Sequence, residues 1–307
     1  QVASIDLKKS SQAPNYEFEL RVDAAVSPIL RRMRAGNMRV GDLARCFQGF
    51  VTGGNEAYIV TRDEMRREKL EASVCMPAVF GDQIARYGQP RPEHHVIYLT
   101  REDNLDHLPH IRKRLDPFRE VLAQKREVRL GRQPWYSLHW PRVKSNFERK
   151  GKILVQAIRN LSLPRRVVAT LDNQGLYADH TLNVLYIERD EYRPEFLLGI
   201  LNSTLVNYAF AKQHIDINIK GVYLSDISLP AVDLSKKADH AKHDKMVGLV
   251  ESMLKLHRDL PKAKTPHEQE SYQRQIAATN KSIDALVYEL HGLTAREIAI
   301  VEGLGDA

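Results

Sequence analysis

Between Arg112 and Arg166 the chain carries 16 Lys and Arg against 4 Asp and Glu, a local charge of +12 in a chain whose total is +7. Everything outside that stretch therefore sums to −5, so the positive charge is an island on a mildly acidic protein. Such a concentration favours a polyanion, most commonly nucleic acid, because Lys and Arg displace condensed counterions from phosphates. The residues suited to phosphate contact are Lys125, Arg126, Arg129, Arg132, Arg142, Lys144, Lys150, Lys152, Arg165 and Arg166. Arg also reads guanine where it reaches a base edge, and Asn or Gln reads adenine. Trp135, Tyr136, His139 and Trp140 lie within the island, and Trp135 and Tyr136 are candidates to stack on or support a recognition surface. A solvated basic helix followed by a core aromatic strand would leave the same trace.

A second candidate is the loop Gln48 to Asn55 (QGFVTGGN). Its glycines let a backbone approach a ligand closely, and Gln48, Thr52 and Asn55 supply donors and acceptors. The same glycines would equally shape a plain hairpin turn. The loop is no P-loop, because Gly53-Gly54 is followed by Asn55-Glu56 rather than by Gly-Lys-Ser/Thr.

No complete catalytic constellation is present. Ser203, His180 and Asp179 can be drawn as a nucleophile, base and acid, yet Ser203 lacks the Gly-x-Ser-x-Gly elbow that would expose it. Asp216-x-Asn218-x-Lys220 has a nuclease-like alternation that a strand also explains. The pairs His94-His95, His107/His110 and His240/His243 have no third ligand at metal-binding spacing. An amino-methyltransferase needs an Asn/Asp-Pro-Pro-Tyr/Phe tetrapeptide, and the chain has none. The expectation is no catalytic and no metal residue in these 307 residues.

The elements that must position these residues follow from composition and periodicity. A 43% apolar and 28% charged chain of this length is globular and long enough for one large or two ordinary domains. Nothing approaches a membrane span. Two cysteines, Cys46 and Cys75, without Cys-x-x-Cys spacing indicate a reducing, cytoplasmic setting. The chain starts at Gln1, which is consistent with a fragment of something longer.

The pattern predicts a linker or arm with a short helix over 1–38, then one α/β (α+β) domain with a mixed, largely antiparallel sheet over 39–235. Predicted strands include Val40 to Phe47, Val96 to Leu99, Tyr136 to Trp140, Ile153 to Ile158, Val167 to Leu171 and Leu182 to Ile187. Leu108 to Leu130 reads as a long basic helix, and Glu195 to Lys212 as a helix broken at Asn202-Ser203. Ile215 to Leu229 alternates like a strand. Over 236–307, Met246, Leu249, Met253, Leu256 and Leu260 share a 3,4 spacing with Ile276, Thr279, Ile283, Leu286 and Leu290. This predicts a helical hairpin, coiled-coil-like or packed on the sheet domain. Gly292 ends its second helix and Thr294-x-x-Glu297 caps another.

Three segments carry a resemblance. Val40-Gly41-Asp42-Leu43 through Gln48-Gly49-Phe50-Val51-Thr52-Gly53-Gly54-Asn55-Glu56-Ala57-Tyr58 resembles the opening of target recognition domains in restriction-modification enzymes. Phe196 to Ser203 (FLLGILNS) resembles their L-x-x-I-L-N-S segment. Ile283 to Ile298 resembles their ending. The chain is most similar to the TaqI-like C-terminal specificity domain, from about residue 39 to 303.

That resemblance implies sequence-specific recognition of double-stranded DNA within a type II (IIG-like) or phage-defence N6-adenine methyltransferase. Catalysis and S-adenosylmethionine would belong to an N-terminal methyltransferase domain that partners this chain, and the chain itself would hold no cofactor. Two other classes stay open: a protein-interaction module working through the hairpin, and a nuclease or methyltransferase with an unrecognised site.

Overall fold

The computed structural model describes residues 26–36 and 38–304; the expected leading arm, residues 1–25, lies outside the described residues. The strands are β1 (Met38–Arg39), β2 (Ala44–Gln48), β3 (Ile59–Thr61), β4 (Cys75–Val79), β5 (His94–Ile97), β6 (Lys152–Gln156), β7 (Ala169–Asp172), β8 (Tyr177–Ala178), β9 (Leu182–Ile187) and β10 (Ser228–Leu229). The central sheet has the order β2-β9-β6-β7 and is antiparallel throughout. β6, β7 and β9 are buried on both faces while the edge strand β2 is partly exposed, so the buried strands carry apolar residues at successive positions rather than alternating ones. In β6, Ile153 and Val155 enter one core while Leu154 enters the other; in β9, Leu185 enters the first and Leu182 and Val184 the second. The second core is closed by the sheet β3-β5-β4-β8, in which only β4 and β8 are parallel.

The first core is closed by helices. The Pro194–Leu201 and Thr204–Gln213 helices lie on the sheet, separated at Asn202-Ser203 as expected. Ser203 caps the second, accepting from Val206 N at 3.2 Å. The tail hairpin, Lys237–Asp259 and Pro266–His291, packs on them through Met246, Val247, Val250, Met253, Ile283, Leu286 and Val287. Its helices are thus packed on the sheet domain at their base, while the turn end at 264–270 is exposed. A Cβ on Gly199 would lie 2.5 Å from Met246 Sδ, so this crossing needs glycine for its close approach. The helix Val26–Arg34 buries Val26, Ile29, Leu30 and Met33 in the same core, and Arg32 Nε meets Glu297 Oε2 at 3.1 Å. The expected boundaries at 38 and 235 therefore fall inside one continuous core.

Four expectations fail for local reasons. Val40–Leu43 is a helical turn ahead of β2, closed by Arg39 N donating to Asp42 Oδ2 at 2.8 Å. The long basic helix is broken into Pro109–Leu115, Asp116–Phe118, Arg119–Ala123 and Arg126–Arg129. Pro117 has no amide to continue the ladder, and Lys125 turns inward between the last two pieces. In Ile215 to Leu229 only Ser228–Leu229 is strand, because Asp216 Oδ1 takes Asn218 N at 2.9 Å and folds the segment into a turn. Tyr136 to Trp140 is loop, with a single bridge from Trp140 to Val51.

Candidate nucleic-acid interface

β2 ends at Gln48, β6 at Gln156, and β9 begins at Leu182, opposite both. The loops 49–55, 157–168 and 179–181 therefore leave the central sheet at one end. The first of them crosses to the second layer: Gly49 N donates to Leu182 O (2.9 Å), Phe50 N to Ala178 O (2.9 Å) and Val51 N to Trp140 O (2.9 Å). A Cβ on Gly49 would sit 2.1 Å from Asp179 O and 2.2 Å from Ala178 O, so backbone passes backbone here with no room for a side chain. Gly53, at φ +75°, lies on the Lys125 side chain and His139. These glycines shape the crossing, and the loop they shape presents its polar side chains at the end of the sheet.

Of the predicted readers, Gln48 and Asn55 are exposed and Thr52 is buried. Thr52 Oγ1 accepts from Gly54 N at 3.1 Å and donates to Asn55 Oδ1, so it orients the loop and does not face outward. Gln48 Nε2 donates to His180 O at 2.8 Å. His180 joins the cluster although periodicity gave it no place there; only the adjacent Asp179 signalled it. Its Nδ1 lies 3.3 Å from Asp179 Oδ2. Asp179 is buried, with Oδ1 accepting from the Thr181 amide at 3.0 Å and from the Thr181 hydroxyl. Burial raises its carboxyl above the ordinary range, against the pull of Thr181 and the His180 ring.

The basic island does not form one surface. Lys125, Lys152 and Arg166 are buried and cannot reach a phosphate, which corrects their assignment as DNA contacts. Lys125 Nζ donates to Tyr58 Oη at 3.0 Å and to Ser137 O. Lys152 Nζ donates to Arg149 O at 3.1 Å and pairs with the buried Asp172. Arg166 Nη1 donates to Arg159 O at 2.6 Å and its Nη2 to Asp216 O, stitching two loops together. Arg165 is half-buried on Asn202 O at 3.2 Å, and Arg142 on Gly49 O at 3.1 Å, so both serve the scaffold as well. Trp135 packs on the second core with Arg119 over its ring, and Tyr136 Oη donates to Asp103 O at 2.6 Å; neither is a free stacking platform.

Arg126, Arg129 and Arg132 are exposed, next along the chain from the Lys125 that supports Gly53. Glu127 offsets part of their charge, 3.1 Å from Arg132. Lys144 and Lys150 are exposed too, on the segment leading into β6. Lys150 lies near Lys152, which pairs with Asp172 at the far end of the sheet from Gln48.

Lys125 offers a test of this burial. Removal from water lowers its pKa to about 8, against about 10.4 for a free lysine. Between those values the unfolded chain holds a proton that the folded one has released, so stability rises with pH across that window. The Cys46 and Cys75 thiols, pushed up by burial to about 12 and about 11, pull stability the other way above pH 9 in any variant that keeps them. Urea unfolding of the wild type and of Lys125→Met should therefore differ in slope: from pH 8 to 10 the wild type should gain about 2 kcal/mol relative to the variant, and parallel curves would rule the lysine out.

Other candidate chemistry is not assembled. Ser203 is buried in the helical layer, its Oγ donating to Ile200 O at 2.7 Å, and does not meet His180. Asp216, Asn218 and Lys220 close a turn on one another. Among the described residues no group of three or more His, Cys, Asp or Glu is placed to hold a metal ion, and no helix is long and apolar enough to cross a membrane.

Residues 77–228 match the family model described as the TaqI-like C-terminal specificity domain. The chain carries that specificity domain. The match runs from within β4 to the start of β10 and takes in the basic island, His180 and the Asn202-Ser203 break. The Gln48 to Asn55 loop and the hairpin lie outside it. No curated protein matches the chain. Among solved structures, the Type IIL restriction-modification enzyme MmeI in complex with DNA is similar, with a TM-score of 0.57 and 11% identity. The likeness covers 87% of this chain and 35% of that one, so this chain spans about a third of MmeI's length. At that identity the shared property is the mixed, antiparallel-dominated fold, which extends beyond the specificity domain into the flanking helices.

Proposed function

We propose that this chain recognises a specific double-stranded DNA sequence for a restriction-modification enzyme. The observation that carries the reading is the lip at one end of the central sheet, where His180 of the specificity domain meets the Gln48 to Asn55 loop that precedes it. Exposed Gln48 and Asn55 and half-exposed His180 stand there, with Arg126 and Arg129 on a short helix, and Arg132 just past its end, next to the same loop. The arginines hold phosphates and set register, and the lip reads base edges. The fold shared with MmeI, a protein solved with DNA, supports it.

The finer reading is an N6-adenine methyltransferase of IIG-like or phage-defence type, acting in the cytoplasm. Methyl transfer, with its S-adenosylmethionine, belongs to an N-terminal domain partnering this chain. The lack of an Asn/Asp-Pro-Pro-Tyr/Phe tetrapeptide here favours that division.

Duplex affinity measured across a salt series tests the reading. Each phosphate contact contributes about −0.9 to the slope of log affinity against log salt. Arg129→Ala with Arg132→Ala should make that slope shallower by about 2. A folded chain that binds no duplex, or binds with no salt dependence, rules the function out.

A further inference from the structure

The lip has a defined hydrogen-bonding polarity. Thr52 Oγ1 accepts from Gly54 N and donates to Asn55 Oδ1. In that orientation the Asn55 carbonyl is turned to the protein, and the Nδ2 donors of this exposed residue are left for a ligand. Asp179 acts in the opposite sense on His180. Both Thr181 donors go to Asp179 Oδ1, and the other oxygen, Oδ2, faces His180 Nδ1. The carboxylate is acceptor-only, so the neutral ring carries its proton on Nδ1 and presents Nε2 as an acceptor. The His180 side chain is 42% exposed, and Gln48 holds its backbone through His180 O.

Asn55 and His180 share the border of two adjoining surface hollows. One is lined by Val51, Phe118, Val121 and Leu122, the other by Ile59, Phe80, His94 and Ile158. Val121 and Ile158 are both exposed, at 68% and 49%. A donor and an acceptor bordering the same two hollows, flanked by exposed aliphatic groups, form a reading head with a particular complement. Adenine is the one base whose major-groove edge sets an acceptor (N7) beside a donor (the N6 amine), and its thymine partner adds a methyl group.

We propose that Asn55 and His180 together read an adenine in the major groove. Asn55 Nδ2 donates to N7, His180 Nε2 accepts from the N6 amine, and an aliphatic neighbour contacts the thymine methyl. Asp179 and Gln48 are positioning residues for His180. This rests on the DNA-recognition reading above and assigns one base position to a stated pair of side chains.

The test is selection by the 307-residue chain from a duplex library with a randomised centre, followed by affinity measurements on the selected duplex. The wild-type chain should select a motif containing an invariant adenine. Asn55→Ala and His180→Ala should each weaken the selected duplex by about 10- to 100-fold and relax that position alone. Both side chains are solvent-facing, and unchanged thermal unfolding of the variants verifies that they fold. Replacing the adenine with 7-deazaadenine should weaken binding by the wild type and leave Asn55→Ala unaffected. The assignment is overturned if both variants keep the full motif, if the relaxed position is a G·C pair, or if 7-deazaadenine binds as well as adenine. Those outcomes leave DNA recognition standing; absence of any duplex binding removes both.

Discussion

Lys152→Met is expected to lower the unfolding free energy by roughly 3–5 kcal/mol, the range for removing one partner of a buried ion pair. Lys152 and Asp172 are both fully buried, opposite each other in register on β6 and β7. Burial lowers the lysine's pKa and the contact with Asp172 pulls it back. The carboxylate also accepts from Gln174 N at 2.7 Å and Leu176 N at 2.8 Å, while the ammonium donates to Phe147 O and Arg149 O. The pair thus ties two turns to the far end of the central sheet. Methionine fills the lysine's volume but leaves a buried carboxylate without its counterion. Lys152→Met with Asp172→Asn should recover part of the loss: asparagine removes the unpaired charge, but its single oxygen keeps only one of the two amides, Gln174 N or Leu176 N, and leaves the other facing its NH2 group. Urea unfolding reads both variants. The cost should leave duplex affinity per folded molecule unchanged, and a selective loss of affinity would return Lys152 to the DNA contacts.

Gly49→Val is expected to damage recognition and stability together. Gly49 is not constrained by its backbone angles; it is constrained by the two carbonyl oxygens within 2.2 Å of where a Cβ would be. Those atoms belong to Ala178 and Asp179, which are bonded into both sheets and cannot swing aside. Overpacking of this kind costs about 1–3 kcal/mol and sometimes more. The relief available is to push residues 49–52 away from residues 178–181, which separates Asn55 from His180. Sequence-selective binding should therefore disappear at temperatures where thermal unfolding shows the variant still folded, while salt-dependent, sequence-blind binding through the arginines persists. Retained selectivity in a folded Gly49→Val chain would show that the two loops need not be held together.

Much of the scaffold was legible. The apolar runs of β6 and β9, the break at Asn202-Ser203 and the end at Gly292 follow from local chemistry acting within a few residues. Thr294 and Glu297 likewise form the expected capping box, with Thr294 N donating to Glu297 Oε2 at 2.8 Å. Expectations built on longer runs did less well. Leu108 to Leu130 has helical composition, but Pro117 interrupts it and Lys125 leaves it for a partner at Tyr58, 67 residues away in sequence. Ile215 to Leu229 alternates, yet a side chain of the segment, Asp216, competes for its amides.

The charge island shows the same division. Sequence alone determined that positive charge is concentrated between Arg112 and Arg166, and the motifs around it determined the resemblance to a specificity domain. Charge counts add along the chain irrespective of direction, so they could not say which ammonium or guanidinium faces solvent. Tertiary structure decided that. It took Lys125, Lys152 and Arg166 into the interior, where each has acceptors from distant segments, and left Arg126, Arg129 and Arg132 outside. It also brought His180 to Asn55 across more than a hundred residues, by pairing β2 with β9. Local chemistry sets caps and turns because its partners are covalently near. A reading surface is made of contacts between strands, and only the packed sheet determines which loops share an end.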